Sequence, residues 1–158
     1  MLSEGDSGHV GVVWVMNTSA TRMSVFVGAA DAANIHKWLL SEQANCDVGD
    51  EGLRDWYRKY FRKYLRGRLM DHISGQCLFE EFNPAAYNIL QVFTFKSPKL
   101  RETVESSLRD GKENLDIVHH VIPEVEEEEA EQVIEFLQVV DVNKCHTFAC
   151  PHDEPTNG

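Results

Sequence analysis

The stretch LRDWYRKYFRKYLRGRL, Leu53–Leu69, decides how the rest of the chain is read. Leu53, Trp56, Tyr57, Tyr60, Phe61, Tyr64, Leu65 and Leu69 recur at steps of three and four, which is one apolar stripe along an α-helix. Arg54, Arg58, Lys59, Arg62, Lys63 and Arg66 occupy the other side. The pattern predicts a long amphipathic helix, capped by Asp50 and running through Met70 and Ile73 to a stop at Ser74–Gly75. Gly67 inside it costs about 1 kcal/mol relative to Ala and marks an expected bend.

That stripe stands out against the charge of the whole chain. The 158 residues carry 15 Lys/Arg and 26 Asp/Glu, a net −11. Seven Lys/Arg and one Asp fall between Arg54 and Arg68, so this segment is +6 and everything else is −17. An acidic body repels nucleic acid, and the rings here lie on the apolar side rather than among the charges, so base stacking is not indicated. Nucleic acid is therefore disfavoured as a partner.

Working outward, His9–Met16 (HVGVVWVM) and Met23–Val27 (MSVFV) are short, Val-rich runs separated by polar residues, which reads as a hairpin of two strands. Asp31 is the expected cap of a following helix whose inward stripe is Ile35, Trp38 and Leu39. Asp47–Gly49 makes a turn into the basic helix. Beyond it, Asn88–Phe95 (NILQVFTF) reads as a third strand and Leu115–Ile122 (LDIVHHVI) as a fourth. Between them, Ser97–Pro98 opens a helix with Leu100, Val104 and Leu108 on its buried face, ended by Gly111. Pro123 is expected to open a last helix. Its first turns hold Glu124–Glu131, favourable at a helix N-terminus, and Ala130, Val133, Ile134, Leu137 and Val140 face inward. The order ββααβαβα predicts an α+β fold: a four-stranded, mainly antiparallel sheet with about four helices packed on it. Residues 1–8 read as a flexible N-terminus, 9–142 as one α+β domain, and 143–158 as a flexible tail bearing Cys and His.

Several residues carry chemistry in principle. Cys145, His146, Cys150 and His152 are metal-ligating types, but their C-H-x3-C-x-H spacing matches no common zinc knuckle. His120 and Asp116 share a face on a strand and are the candidate acid–base pair, whereas His119 next to it points to the opposite face. Trp14, Trp38 and His119 are candidates to line a pocket between sheet and helices. No GxGxxG, P-loop, GxSxG or HExxH is present. No cofactor is implied.

The leading expectation is a non-enzymatic interaction domain that forms a homodimer or covers a basic partner. Arg54, Arg58, Arg62, Lys63 and Arg66 on one side and Glu127, Glu128 and Glu131 on the other form its partner-binding surface. The alternative is a small-molecule-binding domain or enzyme with a pocket between sheet and helices, and a second alternative is polyanion binding through the basic helix. No apolar run reaches the ~18–20 residues needed to cross a bilayer. The N-terminus lacks the basic and apolar regions of a secretory leader, so the reading places the chain in a cytoplasm with reduced thiols.

Overall fold

The computed structural model describes residues 21–151, and it is mostly helical rather than built on a sheet. The first element is a strand of two residues, β1 (Arg22–Met23). Helix α1 (Val25–Ala44) follows at once, then α2 (Asp50–Ile73) and a second two-residue strand, β2 (Leu78–Phe79). A single helical turn, α3 (Ile89–Val92), leads to α4 (Pro98–Arg109), α5 (Asn114–Val121) and α6 (Glu127–Val140). Short 3-10 turns lie at Pro84–Ala86, Ile122–Glu124 and Val142–His146.

The only sheet among the described residues is β1 with β2, paired in parallel with Arg22 opposite Leu78 and Met23 opposite Phe79. The four-stranded antiparallel sheet is thus corrected, and each expected strand within the described residues departs from that expectation for a local reason. Expected strand His9–Met16 lies outside the described residues. In MSVFV, Ser24 caps a helix: its hydroxyl accepts from the Phe26 N–H at 3.2 Å, and Glu81 accepts both from the Ser24 hydroxyl and from the Val25 N–H. Helix α1 therefore starts six residues before the expected cap Asp31. In NILQVFTF, Asn88 adopts a left-handed backbone (φ 60°), and Ile89 and Leu90 are both buried instead of alternating. Phe93 and Phe95 then pack their rings on Phe136 at 5.3 and 5.2 Å. In LDIVHHVI, a reciprocal capping box between Glu113 and Asp116 opens α5, and Ile117 and Val121, four apart, enter the core. β-Branched residues favour strands only where a strand partner is within reach, and among the described residues no strand pairs with this segment.

The expected basic helix is present and central. Trp56, Tyr57, Phe61, Leu65, Leu69 and Ile73 are buried along α2, and Leu65, Leu69 and Ile73 are fully so. Its N-cap is Gly49, not Asp50, which sits with Glu51 in the first turn where negative charge favours the dipole. Helix α1 lies antiparallel against it: Gly28 approaches Tyr64, whereas His36 meets Asp55 and Lys37 approaches Gly52. The close approach depends on small residues, because α1 turns Val25, Ala29 and Ala33, at steps of four, toward α2. Tyr64 seals the contact by donating its hydroxyl to the Val25 carbonyl at 2.8 Å.

The other end of α2 enters the remaining helices. Leu100, Val104 and Leu108 of α4, Ile117 and Val121 of α5, and Val133, Phe136, Leu137 and Val140 of α6 complete one core cluster. Helix α6 begins at Glu127 with a Glu126–Glu129 capping box, and Pro123 belongs to the 3-10 turn before it. Ile134, expected inward, is exposed, and Phe136 occupies the core instead. Val142 and Cys145 are buried, and the Phe148 ring stands edge-on to Phe26 and Phe82.

Among the described residues, His72 is the one buried imidazole. It is fully enclosed, with Nδ1 accepting from the Phe79 N–H at 3.1 Å and Nε2 lying 2.8 Å from the Asn83 carbonyl. A carbonyl only accepts, so the ring is neutral with its hydrogen on Nε2. Burial pushes its pKa below the ordinary histidine value, partly countered by the Asn83 hydrogen bond. This residue ties α2 to β2 and to the loop after it.

Candidate functional site

Two surfaces stand out. The first is the outward side of α1. Ile35, Trp38 and Leu39 were expected to face the core, and the structure reverses that: they are 61%, 60% and 46% exposed. Val27 on the same side is 62% exposed. The physical cause is the α1–α2 contact, whose fully buried α1 positions are Val25, Ala29 and Ala33, with Phe26 at the edge packing on Phe61. A helix with small residues inward and large apolar ones outward has no room to bury both sets. Val27, Asp31, Ile35, Trp38 and Glu42 follow one another at steps of four and three and so form a single ridge. A groove of about 500 Å³ runs beside Trp38, bounded by Asn34, Lys37, Ser41 and the turn at Cys46–Asp47. Asp31 and Glu42 are exposed and make no ion pair among the described residues. Asp47, in the turn, is held below the usual carboxylate range by the Gly49 N–H and by Lys37.

The second surface is the basic side of α2, which divides into two halves. Toward its start, Arg54 and Arg58 both pair with Glu51, and Lys59 lies 2.9 Å from Asp55. Asp55 also meets His36 at 2.8 Å, and hydrogen bonds from Lys59 and His36 hold its carboxyl below the usual range. Such exposed pairs are worth ~0–1 kcal/mol each, but they neutralise the charge locally. Further on, Arg62 and Lys63 are exposed and have no ion pair among the described residues. Arg66 is half-buried and donates to the carbonyls of Leu108 (3.3 Å) and Lys112, at the C-terminal end of α4. Its Nε is buried with no acceptor among the described residues, and burial lowers its pKa. A cleft of about 590 Å³ opens here, between α2, the α4–α5 turn and the 3-10 turn at Val142–His146.

The remaining candidates separate. Glu127 and Glu131 are exposed on α6, while Glu128, together with Glu126, pairs with Lys96 at 3.0 and 2.9 Å. No ion pair joins this acidic helix to the basic stripe among the described residues. His119 and His120 lie exposed in the last turn of helix α5, not on a strand, and Asp116 turns to the Glu113 N–H in the capping box. Trp38 lies on the surface, and Trp14, the other tryptophan expected to line a pocket, lies outside the described residues. Cys145 is buried, and burial pushes its thiol up to about 11. His146 turns away to Glu113 at 2.8 Å, Cys150 is half-buried, and His152 lies outside the described residues. Among the described residues, no group of three His, Cys, Asp or Glu is placed to hold a metal ion. None of their helices is long and apolar enough to cross a membrane.

Comparison with family models, curated proteins and solved structures returns no match. What the geometry defines is a helical domain with an apolar ridge on one helix and a basic cleft on the next. The sequence shows the residues of the ridge, whereas the side of α1 they take depends on the contact with α2. Its signal was the run GAADAA at Gly28–Ala33, whose small residues recur at the helical step opposite Ile35 and Trp38.

Proposed function

We propose that the protein is a non-enzymatic interaction domain that receives a basic amphipathic segment of another protein on the outward ridge of α1. The observation that carries this reading is the exposure of Ile35, Trp38 and Leu39 together on one helix face. Large apolar side chains clustered on a surface mark an interaction site, whereas scattered ones do not, and Trp is the residue most enriched among binding hot spots. The charge flanking the ridge selects the partner. Asp31 and Glu42 sit in line with the apolar residues, so an incoming helix with Lys or Arg beside its own apolar stripe is matched at both ends. A second copy is matched less well: antiparallel pairing of two α1 helices with Ile35 opposite Trp38 sets Asp31 of one copy against Glu42 of the other, like against like.

The test uses a synthetic Leu/Lys amphipathic peptide of roughly 18 residues, about five helical turns, and its Leu/Glu counterpart. Calorimetric titration should show one Leu/Lys peptide bound per chain and none of the acidic peptide. A Trp38→Ala/Leu39→Ala double variant that keeps its helical circular dichroism should bind at least about tenfold more weakly. Equal affinity of variant and parent for the basic peptide, or no binding at all, overturns the reading. So does light scattering that finds a dimer which the double variant turns into a monomer, because the ridge is then covered by a second copy.

A further inference from the structure

We propose that the cleft between α2 and the α4–α5 turn is a binding site for a small phosphorylated molecule, separate from the ridge of α1. Four cationic side chains (Arg62, Lys63, Arg66 and Arg109) line it against two carboxylates, Asp110 and Glu113. Arg62, Lys63 and Arg66 make no ion pair among the described residues, which leaves three cations against Asp110 once the paired side chains are set aside. Glu113 is engaged by His146, and Arg109 has its own partner outside the lining, Glu105 at 2.7 Å. Arg62 and Lys63, adjacent in sequence on the open side of α2, face the cleft with no carboxylate bound to either among the described residues.

The contrast along one helix makes this more than a solvated basic face. Arg54, Arg58, Lys59 and Arg68 each have a carboxylate partner on α2 itself, at 3.8 Å for Arg54–Glu51, 2.9 Å for Lys59–Asp55 and 3.0 Å for Arg68–Asp71. The cations of α2 left without one among the described residues, Arg62, Lys63 and Arg66, are those that border the concavity. A chain of net charge −11 repels anions from most of its surface, and a concave patch of opposite sign with low-dielectric walls concentrates them locally.

The shape selects the class of ligand. Gly67 and Gly111 contribute no side chain, and a Cβ placed on either meets nothing within 4 Å. The α2 face of the cleft is therefore open to a close approach between Lys63 and Met70. Met70, half-buried, supplies the apolar part of the wall, with the buried Leu108 behind it. A volume of about 590 Å³ falls within the range of small-ligand sites. A phosphate on Arg62 and Lys63, with the attached organic group against Met70, uses both parts of the lining. Arg66 is fixed by its two carbonyl contacts and contributes charge from the side without having to move.

The experiment is calorimetric titration of the full chain with pyrophosphate and with adenosine monophosphate at fixed ionic strength. Three proteins are compared: the parent, Arg62→Gln/Lys63→Gln, and Arg54→Gln/Arg58→Gln. All four substituted positions are exposed, and each pair removes the same charge. The expected result is saturable binding of one anion by the parent, retained in the Arg54/Arg58 variant and lost at least tenfold in the Arg62/Lys63 variant. The monophosphate should bind at least as tightly as pyrophosphate through its apolar group. Equal weakening in both variants shows an unspecific charge effect and overturns the proposal, as does the absence of binding in the parent. Binding of pyrophosphate with none of the monophosphate overturns the role given to the apolar wall, and with it the ligand class.

Discussion

Leu39→Ala and Leu65→Ala remove the same atoms from two helices that touch, and the structure assigns them very different costs. Leu65 is fully buried in α2. Its truncation loses the whole transfer term and leaves a cavity, which together come to ~2–5 kcal/mol. Leu39 is 46% exposed on the outer side of α1. Removing roughly three carbons at ~0.8 kcal/mol each, about half of them already in water, costs about 1 kcal/mol. No cavity forms, and Ala is a slightly better helix former than Leu, so this is an upper figure. Urea unfolding followed by far-ultraviolet circular dichroism measures both. With a slope of ~2 kcal/mol per molar for a chain of this size, Leu65→Ala lowers the midpoint by ~1–2.5 M and Leu39→Ala by ~0.5 M or less. Midpoint shifts of equal size would show that Leu39 is a core residue. The orientation of α1, and the docking ridge that depends on it, would then be wrong.

Two further outcomes test the packing. His72 is neutral and buried, with a pKa below its unfolded value of about 6.5. The unfolded chain therefore binds the extra proton first as pH falls, and the contribution of this group is fully present above pH ~6.5. It is lost below that, by up to ~1.4 kcal/mol per pH unit until the folded pKa is reached. The parent-minus-variant stability difference for His72→Gln, taken from urea midpoints between pH 7.5 and 5, should shrink as pH falls; a pH-independent difference refutes the neutral assignment. Gly28→Ala and Gly67→Ala should move melting temperature in opposite directions. A methyl at Gly28 enters the space of the Tyr64 hydroxyl and displaces it from the Val25 carbonyl, a cost of ~1–3 kcal/mol. A methyl at Gly67 meets nothing and gains up to ~1 kcal/mol of helix propensity. Destabilisation by both would mean that α2 bends at Gly67 in a way that needs glycine.

Sequence alone determined the elements whose signals are local. The α2 stripe was legible because its buried residues recur at one period over six turns and its stop is a serine and a glycine. Helix α4 was legible because Ser97 caps it, with the hydroxyl accepting from the Leu100 N–H, and Pro98 fits its first turn. The tertiary structure decided everything that depends on what lies opposite. Val, Ile and Phe runs became helices and loops because the described residues offer each of them a helix to pack on and almost no strand to pair with. Which side of α1 faces inward was settled by the closeness of α2, which admits Ala29 and Ala33 and excludes Trp38. The charges of α2 were countable from the start, yet only the fold shows that Glu51 and Asp55 neutralise one half while Arg62 and Lys63 are left at the mouth of a cleft. Burial and pairing are relations between segments distant in sequence, and periodicity within one segment does not contain them.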